Sequence, residues 1–359
     1  MTRPIHGGNL AWAASLVGCP PSAILDFSAS INPLGPPESA IQGIQSHLSS
    51  LGAYPDPDYH ELRVALSQAL QLDADWILPG NGSAELLTWA ALDLSTLAGS
   101  YLVTPAFGDY RRALTTFGVR VLECPLEVVA GGKATMNSLP LPSLLPADRG
   151  LLLNNPHNPT GLLFSREAIA PYLTQCALVV VDEAFMDFLL PAQQESLIGW
   201  VPDFPNLVIL RSLTKFYSLP GLRLGCAIAH PDRLRRWQQW RDPWPVNTLA
   251  AAAAVAVLGD TAFQQQTWTW LALARSQLFE GLAKLPGLQP CPGTANFLLV
   301  RSELSVSWVQ RTLLERHQIF IRDCLSFPEL GDRYFRIAVR TQAENQRLLA
   351  GLAEVLSLR

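Results

Sequence analysis

The chain has 359 residues, with 26 Lys plus Arg against 30 Asp plus Glu, a net charge of −4, and 16% charged against 49% hydrophobic residues. That balance excludes extended disorder, which needs much charge and little to bury, and it disfavours a broad nucleic-acid-binding face. The length exceeds that of a usual single core, so two lobes are expected.

The first forty-five residues carry Pro4, Pro20, Pro21, Pro33, Pro36 and Pro37. They are too broken for a core layer, so residues 1–45 are expected to form an arm packed on the smaller lobe and the active site. Leu16-Val17-Gly18-Cys19 has the outline of a lipoprotein cleavage site. Only Arg3 precedes the apolar run, however, and His6-Gly7-Gly8-Asn9 stands where a charged leader would be, so the segment reads as ordinary folded chain.

From Trp76 to Ala229, short Val, Ile and Leu runs alternate with longer helical stretches, the pattern of a mostly parallel sheet covered by helices on both faces. The expected strands are 76–78, 101–104, 120–123, 151–153, 177–182, 207–211 and 224–229; the expected helices are 84–97, 110–117, 166–175 and 232–240. Residues 46–243 are therefore taken as an α/β domain. From Asn247 to Leu285 almost no turn signal occurs, which predicts one or two long helices leaving the sheet. Residues 244–359 are expected to hold these and a small α+β domain, with strands at 297–300 and 334–339 and helices at 307–316 and 344–356. The longest uncharged apolar stretch, 249–258, is far short of the roughly 20 residues that span a membrane, so no membrane association is expected. The six cysteines show no C-x-x-C and no His pair at zinc spacing, which predicts reduced thiols, no metal and a cytoplasmic location.

Chemistry concentrates in four places. Arg211-Ser212-Leu213-Thr214-Lys215 follows an expected strand, with Arg223 eight positions beyond the lysine. The amine of Lys215 can form an imine with a carbonyl cofactor, while Ser212, Thr214 and Arg223 can hold a phosphate. Asp182 ends the apolar run 177–181, where open α/β sheets place their ligands, and a carboxylate there can keep a pyridine nitrogen protonated. Asn154-Asn155-Pro156-His157-Asn158-Pro159-Thr160-Gly161 is a constrained loop suited to bonding a flat polar ring. Gly80-Asn81-Gly82-Ser83 opens a helix whose N–H groups could take a phosphate. Each has a plain structural reading alone; together they make a pyridoxal phosphate site.

The combination N-P-x-N-P-T-G, D-E-A, S-x-T-K and P-G-L-R-x-G, in this order, resembles the fold-type I pyridoxal-phosphate enzymes, specifically their histidinol-phosphate aminotransferase-like branch, over nearly the whole chain. The resemblance implies pyridoxal 5'-phosphate held by Gly82, Ser83, Ser212, Thr214 and Arg223 at its phosphate. It further implies stacking by Phe107, Asn158 on the ring hydroxyl, Asp182 on the pyridine nitrogen, and Lys215 as imine former and later proton donor. Tyr54 of Tyr54-Pro55-Asp56 would join the phosphate site from a second subunit, which implies a homodimer.

His6-Gly7-Gly8-Asn9 and Asp26-Phe27-Ser28-Ala29-Ser30-Ile31-Asn32-Pro33 resemble those members of the branch that decarboxylate L-threonine O-3-phosphate to (R)-1-aminopropan-2-ol O-phosphate in cobalamin synthesis. The resemblance usually has Asn where this chain has Ser30, and the aminotransferase members commonly have Tyr where it has Phe185. A small phosphorylated amino acid would be held by His6, Asn32, Arg322 and Arg336, whereas Arg340 and Arg347 read as solvated charges at helix flanks. The alternatives are histidinol-phosphate transamination and, more distantly, a non-catalytic effector-binding module.

Overall fold

Seven apolar runs form one sheet: β1 (Ile77–Gly80), β2 (Ser100–Thr104), β3 (Val121–Pro125), β4 (Gly150–Asn154), β5 (Leu178–Asp182), β6 (Leu207–Ser212) and β7 (Gly225–Ala229). These are the expected strands with ends shifted by a residue or two. In the computed structural model, which describes residues 6–128 and 132–358, their order is β1-β7-β6-β5-β4-β2-β3. Strand β7 runs antiparallel to both neighbours and the other pairs are parallel.

Every residue of β4, β5 and β6 is buried, because helices cover both faces and neither side can be polar. The period of two sorts their side chains. Leu151, Leu153, Val179, Val181, Leu207 and Ile209 join one core with helices His60–Leu70, Arg166–Gln175 and Thr248–Leu258. Leu152, Val180, Val208 and Leu210 join the other with Ser83–Leu94, Gly108–Thr116 and Pro231–Trp240. Burying each such Val or Leu contributes about 1.5–3 kcal/mol. The same parity carries Asn154, Asp182 and Ser212, at the carboxyl ends of three adjacent parallel strands, toward the second face.

The long apolar stretch after Asn247 is two helices, Thr248–Leu258 and Thr261–Ala283, broken at Gly259-Asp260, where the Asp260 side chain accepts from Phe263 N–H and starts the second. Beyond them β8 (Leu288–Pro290), β9 (Phe297–Ser302), β10 (Arg322–Asp323) and β11 (Tyr334–Ala338) form an antiparallel sheet of order β8-β9-β11-β10. Strands β8 and β10 escaped the sequence reading, being too short to show alternation.

The prolines of the opening segment do not prevent structure there. Pro4 lies outside the described residues; the others stand outside two helices, Leu10–Val17 and Glu38–Ser46, with Pro20 and Pro21 after the first and Pro37 capping the second. The first helix is held by Asn9 at its start and by Gly18, in the left-handed region, at its end. Its Trp12, Ala13 and Ala14 pack on Leu314 and Phe320 of the small lobe. Leu25-Asp26 pairs in parallel with Ile319-Phe320, and Phe27 bonds backbone to backbone with Phe320 and Ala338. Arg340 is not a solvated charge: one Nη donates to the Asp26 carbonyl at 3.0 Å and the other to Glu344 at 2.7 Å, strapping this segment to the last helix, Gln342–Leu356.

Candidate active site

The carboxyl ends of β4, β5 and β6 open into a cavity of about 220 Å³ lined by Lys215, Asp182, Asn158, Ser83, Phe107 and Arg336, together with His6 and the stretch Ser28–Ile31 from the N-terminal segment. Larger cavities lie elsewhere on the molecule. None of them brings a lysine, a buried carboxylate and hydroxyls together.

Lys215 sits on the single helical turn Leu213–Phe216 that follows β6 directly. Its Nζ donates to Ser212 Oγ at 3.2 Å, and Ser212 Oγ and Thr214 Oγ1 share a hydrogen bond of 2.8 Å. Burial pushes the Lys215 amine below the usual lysine range; Asp182 opposes this, while Arg223 and Arg336 add to it. An amine that loses its proton more easily is a better nucleophile near neutral pH. Arg211, of opposite parity to Ser212, points to the back of the sheet, where Glu183 lies at 3.1 Å and Asp187 and Ser196 complete a buried network.

Asp182 is buried and accepts from Tyr110 Oη at 2.8 Å and from Ala184 N–H at 2.9 Å, one bond on each oxygen. Burial raises its pKa, against the pull of Lys215 and these two donors. A carboxylate with raised proton affinity is matched to share a proton with a pyridine nitrogen. Asn158 accepts from Arg336 Nη1. Its loop is held by paired bonds between the Asn155 amide and the Phe164 backbone, and by His157 against Thr160 Oγ1 at 2.8 Å. His157 is fully buried, and burial pushes its pKa down to about 3, so it is a neutral strut.

The Gly-rich turn packs without slack. A Cβ on Gly82, whose φ is +77°, would lie 2.4 Å from Arg223 Nη2, and one on Gly225 would lie 2.5 Å from the Arg211 carbonyl. Only glycine lets the two backbones and the guanidinium meet here. The N-terminus of the helix Ser83–Leu94, the hydroxyls of Ser212 and Thr214, and Arg223 thus converge as donors suited to a phosphate. Phe107 precedes helix Gly108–Thr116 and meets Tyr110 edge-on at 5.6 Å. Phe185 lies 5.2 Å from Lys215 Nζ. An amine for the carbonyl, a carboxylate and a stacking face for the ring, and a donor cradle for the phosphate fit pyridoxal phosphate.

Arg322 and Arg336 face each other across the β10–β11 pair. Like charges directly opposite repel, and both are buried. Arg336 Nη2 donates to the Ser28 carbonyl at 3.2 Å, and its cation lies 5.1 Å from the Phe297 ring. Arg322 Nη2 donates to Ser326 Oγ at 2.6 Å, with Asp323 at 3.7 Å. Of the two, Arg336 lines the cavity. His6 leans on Phe107 at 5.2 Å, and partial burial lowers its pKa below the usual histidine value, so at neutral pH it is mostly uncharged.

Of the expected contacts, Arg322 and the phosphate-cradle residues Gly82, Ser212, Thr214 and Arg223 are not among the residues lining the cavity, and Asn32 and Tyr54 are engaged elsewhere. Asn32 is 1% exposed, and its amide donates to Phe216 O at 2.8 Å and Thr267 Oγ1 at 2.9 Å, while its N–H donates to the Lys215 carbonyl at 3.1 Å. It ties the lysine turn to the long helix. Ser30, two residues earlier, lines the cavity with its buried hydroxyl without a hydrogen-bond partner. Tyr54 is 77% exposed and stacks on Trp244 at 4.2 Å, away from the cavity of its own chain. Tyr110 was missed altogether. Its signal was present: it stands three residues after Phe107, one helical turn on, and so on the same face.

The chain matches the model of the aminotransferase class I and II family over residues 22–352. It is 41% identical to threonine-phosphate decarboxylase of Salmonella typhimurium, over 98% of this chain and 96% of that protein. It is 32% identical to histidinol-phosphate aminotransferase 2 of Ralstonia nicotianae, over 98% and 94%. The solved histidinol-phosphate aminotransferase of Clostridium acetobutylicum superposes with a TM-score of 0.82 at 27% identity, covering 94% of this chain and 100% of that one. With a family match over most of its length and the lysine, carboxylate and phosphate cradle gathered at the carboxyl edge of its sheet, the chain belongs to the class I and II aminotransferases, of fold-type I.

Proposed function

We propose that this protein decarboxylates L-threonine O-3-phosphate to (R)-1-aminopropan-2-ol O-phosphate, with pyridoxal 5'-phosphate as cofactor, in cobalamin synthesis. The observation that carries the reading is the arm: His6, Gly7 and Ser28–Ile31 close the cavity beside Lys215 in a chain 41% identical along its length to a threonine-phosphate decarboxylase. Identity to the aminotransferase relative is lower.

When bound, the cofactor supplies an electron sink for the pair left on the α-carbon as CO2 departs. The chain's own residues do the rest. Lys215 holds the cofactor covalently and later delivers the proton that replaces the carboxylate. Asp182 keeps the ring nitrogen protonated, Asn158 bonds the ring hydroxyl and Phe107 stacks on the ring face. Gly82, Ser83, Ser212, Thr214 and Arg223 hold the phosphate. Arg322 and Arg336 bind the substrate's anionic groups, with His6 and Ser30 at the rim, and the arm keeps water from the reacting carbon. Residues 1–45 act as this arm, 46–243 as the cofactor-binding domain and 244–359 as the long helices and small domain that carry the substrate arginines. All six cysteines are free, in keeping with a cytoplasmic enzyme. Among the described residues no helix is long and apolar enough to cross a membrane, and no metal-binding cluster is present.

The test is CO2 release from protein loaded with pyridoxal phosphate and given L-threonine O-3-phosphate, run beside histidinol phosphate plus 2-oxoglutarate. CO2 without glutamate supports the reading; glutamate without CO2 replaces it with transamination.

Two neighbours on the arm separate binding from stability. Ser30→Ala is expected to alter KM for threonine phosphate with Tm unchanged. Asn32→Ala should lower stability by about 1–3 kcal/mol through lost buried hydrogen bonds, read as a lower Tm.

A homodimer would bring Tyr54 to the second copy's phosphate cradle. Supporting this, Leu48, Leu51, Tyr54, Trp244 and Val255 are all exposed apolar side chains near or on the helices around it. Mixing inactive Lys215→Ala chains with weakened Tyr54→Ala chains is expected to restore activity, because a hybrid dimer holds one intact site. No recovery on subunit exchange would place Tyr54 elsewhere.

A further inference from the structure

Tyr110 takes no part in the reaction as derived above, yet it touches two of its components. Its hydroxyl donates to Asp182 Oδ2 at 2.8 Å, and its ring meets Phe107 edge-on, with centroids 5.6 Å apart and planes at 83°. The other Asp182 oxygen is taken by Ala184 N–H at 2.9 Å. We propose that Tyr110 is a positioning residue that keeps the Asp182 carboxylate ionised and aimed at the cofactor's ring nitrogen, and that fixes the stacking plane of Phe107. This rests on reading the cavity as a pyridoxal phosphate site.

Asp182 shares the parity of Val180, so it projects toward the face covered by helix Gly108–Thr116. Tyr110 is 2% exposed on the first turn of that helix, below Phe107, and can reach the carboxylate and the aromatic ring at once. Its phenol is pushed well above the ordinary range by burial and by Asp182, so it stays protonated and acts as donor. Of the groups facing Asp182, Lys215, Tyr110 and Ala184 N–H favour the ionised carboxylate, and Asp109 disfavours it. The Tyr110 bond is the one whose removal leaves the shape of the site intact, since phenylalanine fills the same volume. Without it, a buried carboxylate with one fewer donor takes up the proton it would otherwise leave on the pyridine nitrogen.

The test uses Tyr110→Phe holoenzyme loaded with nitrogen-15-labelled pyridoxal phosphate. At neutral pH the ring-nitrogen resonance is expected to move from the protonated toward the unprotonated position. The cofactor should dissociate roughly ten- to a hundredfold faster, the loss of one hydrogen bond to a charged group. Fluorotyrosine placed at position 110, a stronger donor of nearly the same shape, should move the resonance the other way. In an Asp182→Asn background, Tyr110→Phe should add nothing. A parent-like resonance and dissociation rate in Tyr110→Phe, or an undiminished effect in the Asp182→Asn background, overturns the proposal. The parent enzyme answers a separate question: if no cofactor mass is found on its Lys215 after borohydride reduction, the cofactor reading fails, whatever Tyr110 does.

Discussion

Lys215→Ala is expected to abolish covalent attachment of pyridoxal phosphate and to lower CO2 release from threonine phosphate by roughly 10³-fold or more, since one side chain supplies both the covalent anchor and the proton. The visible absorbance of the lysine-bound cofactor should vanish, and borohydride reduction should add no cofactor mass. The fold should survive. Lys215 Nζ makes one hydrogen bond, to Ser212, and the turn that carries it is held through backbone and neighbours: Asn32 N–H on the Lys215 carbonyl, the Asn32 amide on Phe216 O, and Leu219 N–H on Thr214 O. Near-full turnover in Lys215→Ala, measured as CO2, would remove the lysine from the mechanism.

Arg336→Ala is expected to raise KM for threonine phosphate by roughly 10²- to 10³-fold, the cost of removing one partner from a buried charged contact. Arg336→Lys should recover only part of this, because a point charge cannot reproduce a planar pair of donors. The pH dependence has a definite sign. Burial, with Arg322 opposite, pushes the Arg336 guanidinium down to about 10, so it is charged at neutral pH and loses its proton as pH rises toward that value. KM should therefore be flat near neutrality and climb at alkaline pH, and the climb should be absent in Arg336→Ala. A bound anion stabilises the charged form and moves the climb upward in the complex. Unchanged KM in Arg336→Ala would mean that the substrate's anionic groups lie elsewhere.

The sheet is legible in the sequence because buried parallel strands must be apolar on both faces: runs such as Val179-Val180-Val181 and Leu207-Val208-Ile209-Leu210 admit few other readings. The helix Arg166–Gln175 falls on the expected residues, and in the structure Ser165 caps its start. Short strands were lost for the opposite reason. Leu25-Asp26 and Arg322-Asp323 have two residues each, too few for a period to show, and exist only because partners lie alongside.

The placement of Lys215, Asp182, Asn158 and the Gly82-Ser83 turn was equally legible, since each follows a strand, and the strands' carboxyl ends share one edge of the sheet. Local chemistry and chain order were sufficient for them. The substrate side was not readable in that way. Ser30 and Asn32 are both small polar residues one β-period apart. Which of them faces the cavity depended on Phe216 and Thr267, distant in the chain, satisfying the Asn32 amide and leaving the Ser30 hydroxyl open. Arg340 read as a solvated helix-flank charge, and only the fold shows that the Asp26 carbonyl claims it. The bond between Tyr110 and Asp182 spans 72 positions and needs a helix laid across the strand ends. Backbone periodicity and strand-end chemistry are properties of short segments, so the residue order states them outright. Pairing between polar groups far apart in the chain is settled when the sheet, the arm and the long helix close around one cavity, where each buried donor must find its acceptor or be left for a ligand.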